Sequence, residues 1–214
     1  MEKEKNNFSL GNRKLTQTDV KLADCYRPLL IELAKKEQGM AFSEFVELAK
    51  QRYPKVEEVQ SAIPVSTGRR LEALRLYTNR IGAPDLSSWI VSKSGGYGED
   101  YLADFNPQKE REASTLFDWS SDDEGWGIYV AEESKAARKL KRRTDAEARE
   151  LMSDYSKDFS HKIPNPKKLP IREITKQYRE PVLEGLKEGK DVEEVFIDAY
   201  KDLFGDNDDN EPSL

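Results

Sequence analysis

Residues 63–82 contain, in one stretch, the local signals of an amphipathic helix. Ser66 or Thr67 can cap the first turn, because a hydroxyl accepts a hydrogen bond from an unpaired amide. Gly82 stands where a left-handed residue ends a helix, and Pro84 prevents continuation. The predicted apolar side of this helix consists of Leu71, Leu74, Thr78 and Ile81, with Tyr77 at its flank. The stretch therefore predicts a helix over 66–81 that packs on a core.

The opposite side of this helix is basic. It presents Arg69, Glu72, Leu76, Asn79 and Arg80, with Arg75 at the edge. Four arginines with a single glutamate are unusual in an acidic chain, and a guanidinium group matches phosphates and guanine edges. A solvated surface helix whose arginines pair with nearby carboxylates has the same pattern. From the helix alone, both interpretations stay open.

The segments around this helix follow the order of a winged helix. A helix is expected over 18–38, capped by Thr18 and either kinked at Pro28 or split there into two, and a second begins at Ser43 and ends before Pro54. After the basic helix, residues 86–93 and 101–105 are β-prone, and the Gly-rich turn 94–98 joins them. The predicted fold class is mainly α with a small β-hairpin, and the predicted winged-helix domain covers 18–130.

Three short motifs carry a resemblance to a known family. They are Arg70-Leu-Glu-Ala-Leu74 in the helix, Trp89-Ile-Val-Ser92 in the strand and Ser94-Gly-Gly-Tyr-Gly98 in the wing. In this order, residues 26–98 resemble the DNA-binding domain of the alkylguanine transferases and alkyltransferase-like proteins. That family has Pro-Cys-His-Arg in its strand, and this chain has no Cys or His there. The resemblance therefore implies winged-helix topology and a DNA-facing helix, without alkyl transfer.

Residues 106–130 are expected to complete this domain. A helix over 106–118 would have Pro107 in its first turn. The following stretch is rich in aromatic residues and is expected to form a hairpin or loop against the domain; it contains Phe117, Trp119, Trp126, Ile128 and Tyr129. These rings are predicted to be core rather than a base-stacking platform, because no basic residue stands among them.

Residues 131–162 are predicted to form a long basic helix, continuous from 132 to 159. Its basic cluster lies within 135–143, and the candidate phosphate contacts there are Arg138, Lys139, Arg142 and Arg143. Cations are unfavourable at a helix N-terminus, which indicates a use beyond stability. The same cluster could instead pair with the acidic residues 122–124 and with Glu147 and Glu150.

The C-terminal part is expected to be a helical hairpin. Residues 163–170 read as a linker within the predicted hairpin segment 163–205, and Asp191 with Glu194 suggests a capping box for the last helix. The apolar face of that helix needs a partner, which would be its own chain, a second copy or another protein. The candidate partner-binding residues are Phe196, Tyr200 and Leu203. Residues 1–17 and the acidic tail 206–214 are expected to be flexible.

Composition excludes several classes of function. The chain has 214 residues, a net charge of -6, one Cys and one His. Its isoelectric point near 5.2 argues against a mainly electrostatic nucleic-acid binder. No membrane segment or signal peptide is evident, and a single Cys suits the cytoplasm. His161 is the single histidine, and no second His or free thiol is placed to form a catalytic triad or a metal site with it. Residues 95–98 lack the Lys of a phosphate-binding loop. No catalytic residue, metal or cofactor is therefore predicted.

Two functions remain. The first is a non-enzymatic winged-helix protein that binds double-stranded DNA, a regulator or accessory factor. Its candidate DNA contacts are Arg69, Arg70, Arg75, Asn79, Arg80, Lys93, Arg138, Lys139, Arg142 and Arg143. The alternative is a protein-binding adaptor or inhibitor that acts through the C-terminal helices and the acidic tail.

Overall fold

The computed structural model describes residues 15–97, 101–102, 105–158 and 175–204, which are mainly α-helical. The chain divides into two compact units, the N-terminal unit Met1–Lys139 and the C-terminal unit Leu140–Leu214. The helices of the N-terminal unit are α1 Gln17–Lys35, α2 Phe42–Arg52, α3 Glu57–Gln60, α4 Thr67–Arg70, α5 Glu72–Ile81, α6 Pro107–Leu116 and α7 Asp123–Ala136. Short 3₁₀ turns occupy Pro64–Ser66, Leu86–Trp89 and Trp119–Asp122, and the strands are β1 Met40–Ala41 and β2 Ile90–Val91.

Helix α1 is the centre of the N-terminal core. Its N-cap is Thr16, two residues before the predicted Thr18, because Thr16 and Asp19 form a capping box. It runs through Pro28 without splitting; the proline ring is exposed, and the missing amide deletes one hydrogen bond. The buried side of α1 outweighs that loss, and it includes Leu22, Cys25, Tyr26, Leu29, Leu30 and Leu33.

The expected β-hairpin over 86–105 is wrong. Asp85 caps a 3₁₀ turn by accepting a hydrogen bond from the Ser87 amide at 2.9 Å, so the chain turns where a strand was predicted. Only Ile90–Val91 is extended, and it pairs in parallel with Met40–Ala41. Residues 101–102 are helical rather than a return strand, and residues 98–100 and 103–104 lie outside the described residues. The described part of the sheet is therefore this parallel pair.

The same pairing moves the start of α2. Because Met40 and Ala41 are held extended against Ile90 and Val91, the helix begins directly at Phe42. The N-cap is then Ala41, and the prediction of Ser43 as the cap is wrong. Phe42 packs against the core, and its ring lies 3.8 Å from the position that a methyl group on Gly68 would take. The parallel pair places Phe42, and the Phe42 ring in turn packs α2 against the start of α4.

The aromatic stretch after α6 forms a helix, α7, and not a hairpin or loop. Asp118 caps the turn before it by accepting a hydrogen bond from the Ser120 amide at 3.1 Å. Gly125 lies in α7. A methyl group at this position would come within 2.7 Å of the Tyr77 hydroxyl, which favours glycine there. The predicted core role is confirmed for Trp119, Trp126 and Tyr129, which are buried, whereas Ile128 is exposed. The start of α6 at Pro107 is also confirmed.

The C-terminal unit contains α8 Asp145–Asp158, α9 Arg179–Glu188 and α10 Val192–Phe204. The continuous helix predicted over 132–159 is wrong: α7 ends at Ala136, and Thr144 with Glu147 caps a separate helix. The predicted cap of the last helix is confirmed at Asp191, whose carboxylate accepts from the amides of Glu193 and Glu194 at 2.9 and 3.4 Å. The core of the unit is Ala148, Met152, Val182, Leu183, Leu186, Val195, Phe196 and Ala199.

Several expectations fall on residues that the structure does not describe. They concern the first fourteen residues, the linker 163–170 and the tail 206–214. At the N-terminus the ordered chain begins before residue 18, since Leu15 and Thr16 are buried. Among the described residues, no helix is long and apolar enough to cross a membrane.

Candidate nucleic-acid interface

A buried ion pair fixes the orientation of α4. Arg70 donates to Asp19 with Nη1 to Oδ1 at 2.7 Å, and the side chains are 1% and 0% exposed. The second carboxylate oxygen of Asp19 accepts from the amide and hydroxyl of Thr16 at 2.8 and 2.9 Å. Arg70, predicted to contact DNA, therefore holds α4 against α1 and is not available on the surface.

Arg75 fixes the flank of α5. Its Nε donates to the Ser87 hydroxyl at 2.8 Å, and Ser87 in turn is hydrogen-bonded to the buried Asp85. The guanidinium carbon lies 5.1 Å from the centre of the Tyr101 ring, which is a cation–π distance. Burial, with Asp85 nearby, raises the pKa of the Tyr101 phenol. Arg75 is thus largely engaged in packing rather than presented to solvent.

The remaining polar residues of the helix lie on its outer side. Asn79 is exposed, and Arg80 is 65% exposed, with Nη1 3.9 Å from the Glu132 carboxylate. Arg69 and Leu76 are half-buried. The predicted division into an inner and an outer side is confirmed for Leu71, Leu74, Tyr77 and Thr78, which are buried, whereas Ile81 is 42% exposed. The outer face, defined here as Arg69, Leu76, Asn79 and Arg80, is the accessible part of the basic helix.

Lys93 stands on a tight turn at the end of β2. The Ser92 amide donates to the Gly96 carbonyl at 2.9 Å, and the Gly95 amide donates to the Ser92 carbonyl at 2.9 Å. Gly95 has φ +82, which a residue with a side chain rarely adopts. Because β2 is parallel to β1, this turn lies at the same end of the sheet as the start of α2. Lys93 itself is exposed.

Sequence reasoning missed the residues that anchor this turn. Arg111 of α6 donates through Nε to the Ser88 carbonyl at 2.9 Å, and its guanidinium lies 5.1 and 5.6 Å from the Trp89 and Tyr97 ring centres. The Tyr97 hydroxyl donates to the same carbonyl at 2.6 Å, and burial raises the pKa of Tyr97. No local signal identifies Arg111, because its partners stand 14 to 23 residues earlier in the chain.

The basic cluster at 135–143 is not one helical surface. Arg138 is half-buried, and its amide donates to the Leu15 carbonyl at 3.1 Å, while Lys139 is exposed. In the C-terminal unit, Arg142 is exposed, but Arg143 donates to the carbonyls of Leu186 and Lys190 at 3.0 and 2.7 Å. Arg143 therefore satisfies carbonyl groups at the end of α9, as a cation near a helix C-terminus can.

The candidate partner-binding residues do not form an exposed face. Phe196 is 0% exposed, and its ring centre lies 4.7 Å from that of Tyr155 within the same unit. Tyr200 is half-buried, and the side chain of Leu203 lies outside the described residues. At Phe196, the apolar face of α10 is thus covered by its own unit. Phe196 can contact a partner only if this unit opens.

Within residues 15–97, 101–102, 105–158 and 175–204, no group of three or more His, Cys, Asp or Glu side chains could hold a metal ion. Cys25 is buried, and the segment with His161 lies outside those ranges. Comparisons with protein-family models, curated proteins and solved structures find no match to this chain.

Proposed function

We propose that the N-terminal unit binds double-stranded DNA through the outer face of α4 and α5, without catalysing a reaction. The observation that carries this proposal is the division of the four arginines. Arg70 and Arg75 are engaged inwards and orient the two helices, whereas Asn79 and Arg80 are exposed and Arg69 is half-buried beside them. A helix that is held on one side and presents polar side chains on the other suits the major groove, which is about 12 Å wide and admits an α-helix.

Each residue of the outer face has a chemical counterpart on DNA. The Asn79 amide can pair with an adenine edge, and arginine can bind a guanine edge or a phosphate as a planar fork. The contact between Arg80 and Glu132 is exposed, so it contributes little to stability and can exchange for a phosphate. Leu76 offers apolar contact with a thymine methyl group.

The neighbouring elements complete a helix-turn-helix arrangement in this proposal. Helix α2 would cross the DNA backbone, and α5, which comes after α3 and α4 in the chain, would be the recognition helix. The turn that bears Lys93 would take the place of a wing and contact a phosphate. Lys139 is exposed and would add a phosphate contact, whereas the buried Arg70 is not part of the proposed surface.

Removing the two outer arginines should weaken DNA binding. The double variant Arg69→Ala and Arg80→Ala should bind a labelled duplex at least roughly tenfold more weakly at low salt, because each arginine contact is worth about 1–3 kcal/mol. Each lost phosphate contact removes about 0.9 from the slope of log K against log salt, so the slope should flatten by about 2. Fluorescence anisotropy across a salt series measures both quantities.

The matched control removes two lysines elsewhere on the N-terminal unit. Lys21 on α1 and Lys109 on α6 are exposed, and their replacement by alanine changes the net charge by the same amount. The control should keep the affinity of the wild-type protein. Equal losses in the two double variants would mean that net charge, and not the outer face, governs binding.

A further inference from the structure

The C-terminal unit contains an open cleft between α8 and the beginning of α9. Its volume is about 450 Å³, within the range typical of small-molecule sites. The floor is Met152, and the walls include the cations Arg149, Lys157 and Arg179 and the hydroxyl groups of Ser156 and Thr175. Among the described residues that line this cleft there is no carboxylate, although the Glu180 carboxylate lies close enough to act on Arg149. A cleft with this lining favours an anionic ligand.

Two of the three cations pair with exposed carboxylates outside the cleft. Arg149 makes a close hydrogen bond to Asp145, with both side chains about half exposed, and Lys157 lies 3.3 Å from Asp154, with both more than two-thirds exposed. Solvent screens exposed pairs of this kind, so they contribute little to stability. A phosphate can therefore take the place of these carboxylates, and it offers arginine the same planar, bidentate partner.

Helix α9 begins at the same end of the cleft. Arg179 is its first residue, and Glu180 is an acidic residue in its first turn. The Glu180 carboxylate opposes the partial positive charge of the helix N-terminus, so the positive potential of the cleft comes from the three cationic side chains. These cations suit a phosphate group.

The hydroxyl groups distinguish a nucleotide from a bare phosphate. Ser156 donates its proton to the Met152 carbonyl at 2.6 Å, so in the 3.1 Å contact between Ser156 and Thr175 the threonine is the donor. A hydroxyl oxygen has two lone pairs, and Ser156 uses one of them to accept from Thr175. The lone pair that remains can accept another hydrogen bond. A ribose hydroxyl can donate this bond, whereas a phosphate dianion cannot. Beside it, Met152 offers an apolar, polarizable surface for a base.

We propose that this cleft binds a nucleoside diphosphate or a similar nucleotide. The phosphates lie between Arg149, Lys157 and Arg179, the ribose contacts Ser156, and the base packs on Met152. This site is in the C-terminal unit and is independent of the DNA-binding face proposed for the N-terminal unit. Binding requires no metal and no chemical step.

Isothermal titration calorimetry of the full chain tests the proposal with ADP, GDP, pyrophosphate and adenosine as probes. We expect at least one nucleoside diphosphate to bind with one-to-one stoichiometry and more tightly than pyrophosphate, and adenosine to bind more weakly still. The double variant Arg149→Gln and Arg179→Gln should lose at least about tenfold in affinity, because two charge-assisted hydrogen-bonding partners are removed. Ser156→Ala should weaken nucleotide binding while pyrophosphate binding stays unchanged.

The control is the double variant Lys21→Gln and Lys109→Gln, which has the same charge change in the N-terminal unit and should bind like the wild type. Three results would overturn the proposal. They are no binding of either diphosphate at millimolar concentration, equal affinity of pyrophosphate and the nucleotides, and full displacement of the nucleotide by duplex DNA. The last result would assign the cleft to the DNA-binding surface.

Discussion

An Arg70→Ala variant is expected to lose about 3–5 kcal/mol of the free energy of unfolding, the usual cost of removing one partner of a buried ion pair. The reason is that Asp19 would keep a fully buried carboxylate without its guanidinium partner at 2.7 Å. Chemical denaturation followed by circular dichroism measures the loss. Such a loss is a large fraction of the stability of an ordinary domain, so a destabilised N-terminal unit should be evident at room temperature.

The control for this variant is Arg80→Ala in the next helix. Arg80 is exposed and its carboxylate contact is 3.9 Å long, so this change should cost less than about 1 kcal/mol. Asp19→Ala should cost at least as much as Arg70→Ala, because Asp19 also caps α1. The double variant should be less destabilised than the sum of the single variants. Additive losses would show that Arg70 and Asp19 are not energetically coupled.

The second large effect is expected at Gly189, between α9 and α10. Gly189 has φ +96, and a methyl group there would overlap the backbone carbonyl of Lys141. The left-handed conformation costs a residue with a side chain about 1–2 kcal/mol. Steric overlap with backbone atoms adds about 1–3 kcal/mol. Gly189→Ala should therefore lower the free energy of unfolding by several kcal/mol, measured by denaturant titration.

Gly82→Ala separates these two contributions. Gly82 also has a left-handed conformation, φ +67, but a methyl group there would meet nothing within 4 Å. This variant should show only the conformational cost of about 1–2 kcal/mol. If Gly189→Ala were no more destabilising than Gly82→Ala, the close approach of the Lys141 carbonyl would not contribute to stability.

The sequence predicted the end and the buried side of the basic helix, because these signals are local. Its C-terminal Gly82 and its buried Leu74 and Thr78 follow from spacing along a few turns. The single helix predicted over 66–81 is wrong, since Leu71 separates α4 from α5. The hydroxyls of Ser66 and Thr67 donate to the Ile63 carbonyl instead of capping the first turn. The direction of the arginines does not follow from spacing alone. Asp19, which draws Arg70 inwards, is 51 residues away in the sequence, and such a pair becomes apparent only when the fold brings α1 and α4 together.

The β-hairpin was predicted from β-propensity, which is strong in Trp89-Ile-Val91 but depends on context. A local competitor, the Asp85 cap on Ser87, takes the first residues into a 3₁₀ turn. The partner of the two extended residues is Met40–Ala41, about fifty positions earlier. A parallel pair of two residues has no turn to mark it in the sequence, so propensity alone could not find it.

The division between α7 and α8 could have been predicted. Thr144 and Glu147 have the spacing of a capping box, and the structure has both of its hydrogen bonds: the Glu147 amide donates to the Thr144 hydroxyl, and the Thr144 amide donates to the Glu147 carboxylate. The apolar spacing that includes Leu140 suggested a continuous helix instead. Like charges four positions apart, such as Lys135 with Lys139 and Arg138 with Arg142, also disfavour a helix there. Two local signals therefore outweigh one periodic pattern.

The exposure of some candidate DNA contacts could be predicted from the helical period, as for Asn79 and Arg80. It could not be predicted where a distant partner decides it. Arg143 was included because it lies in a basic run, yet its guanidinium binds carbonyls at the end of α9. The burial of Phe196 likewise depends on helices that the sequence pattern cannot place around it.

The most direct test of the proposed function is the salt dependence of duplex binding by the wild-type protein. If Arg69, Arg80 and Lys93 each neutralise one phosphate, the slope of log K against log salt should be about −3 between roughly 50 and 200 mM salt. A duplex should also bind more tightly than a single strand of the same sequence, because the outer face is proposed to enter the major groove. No binding to any duplex at the lowest salt, or a slope near zero, would contradict the proposal.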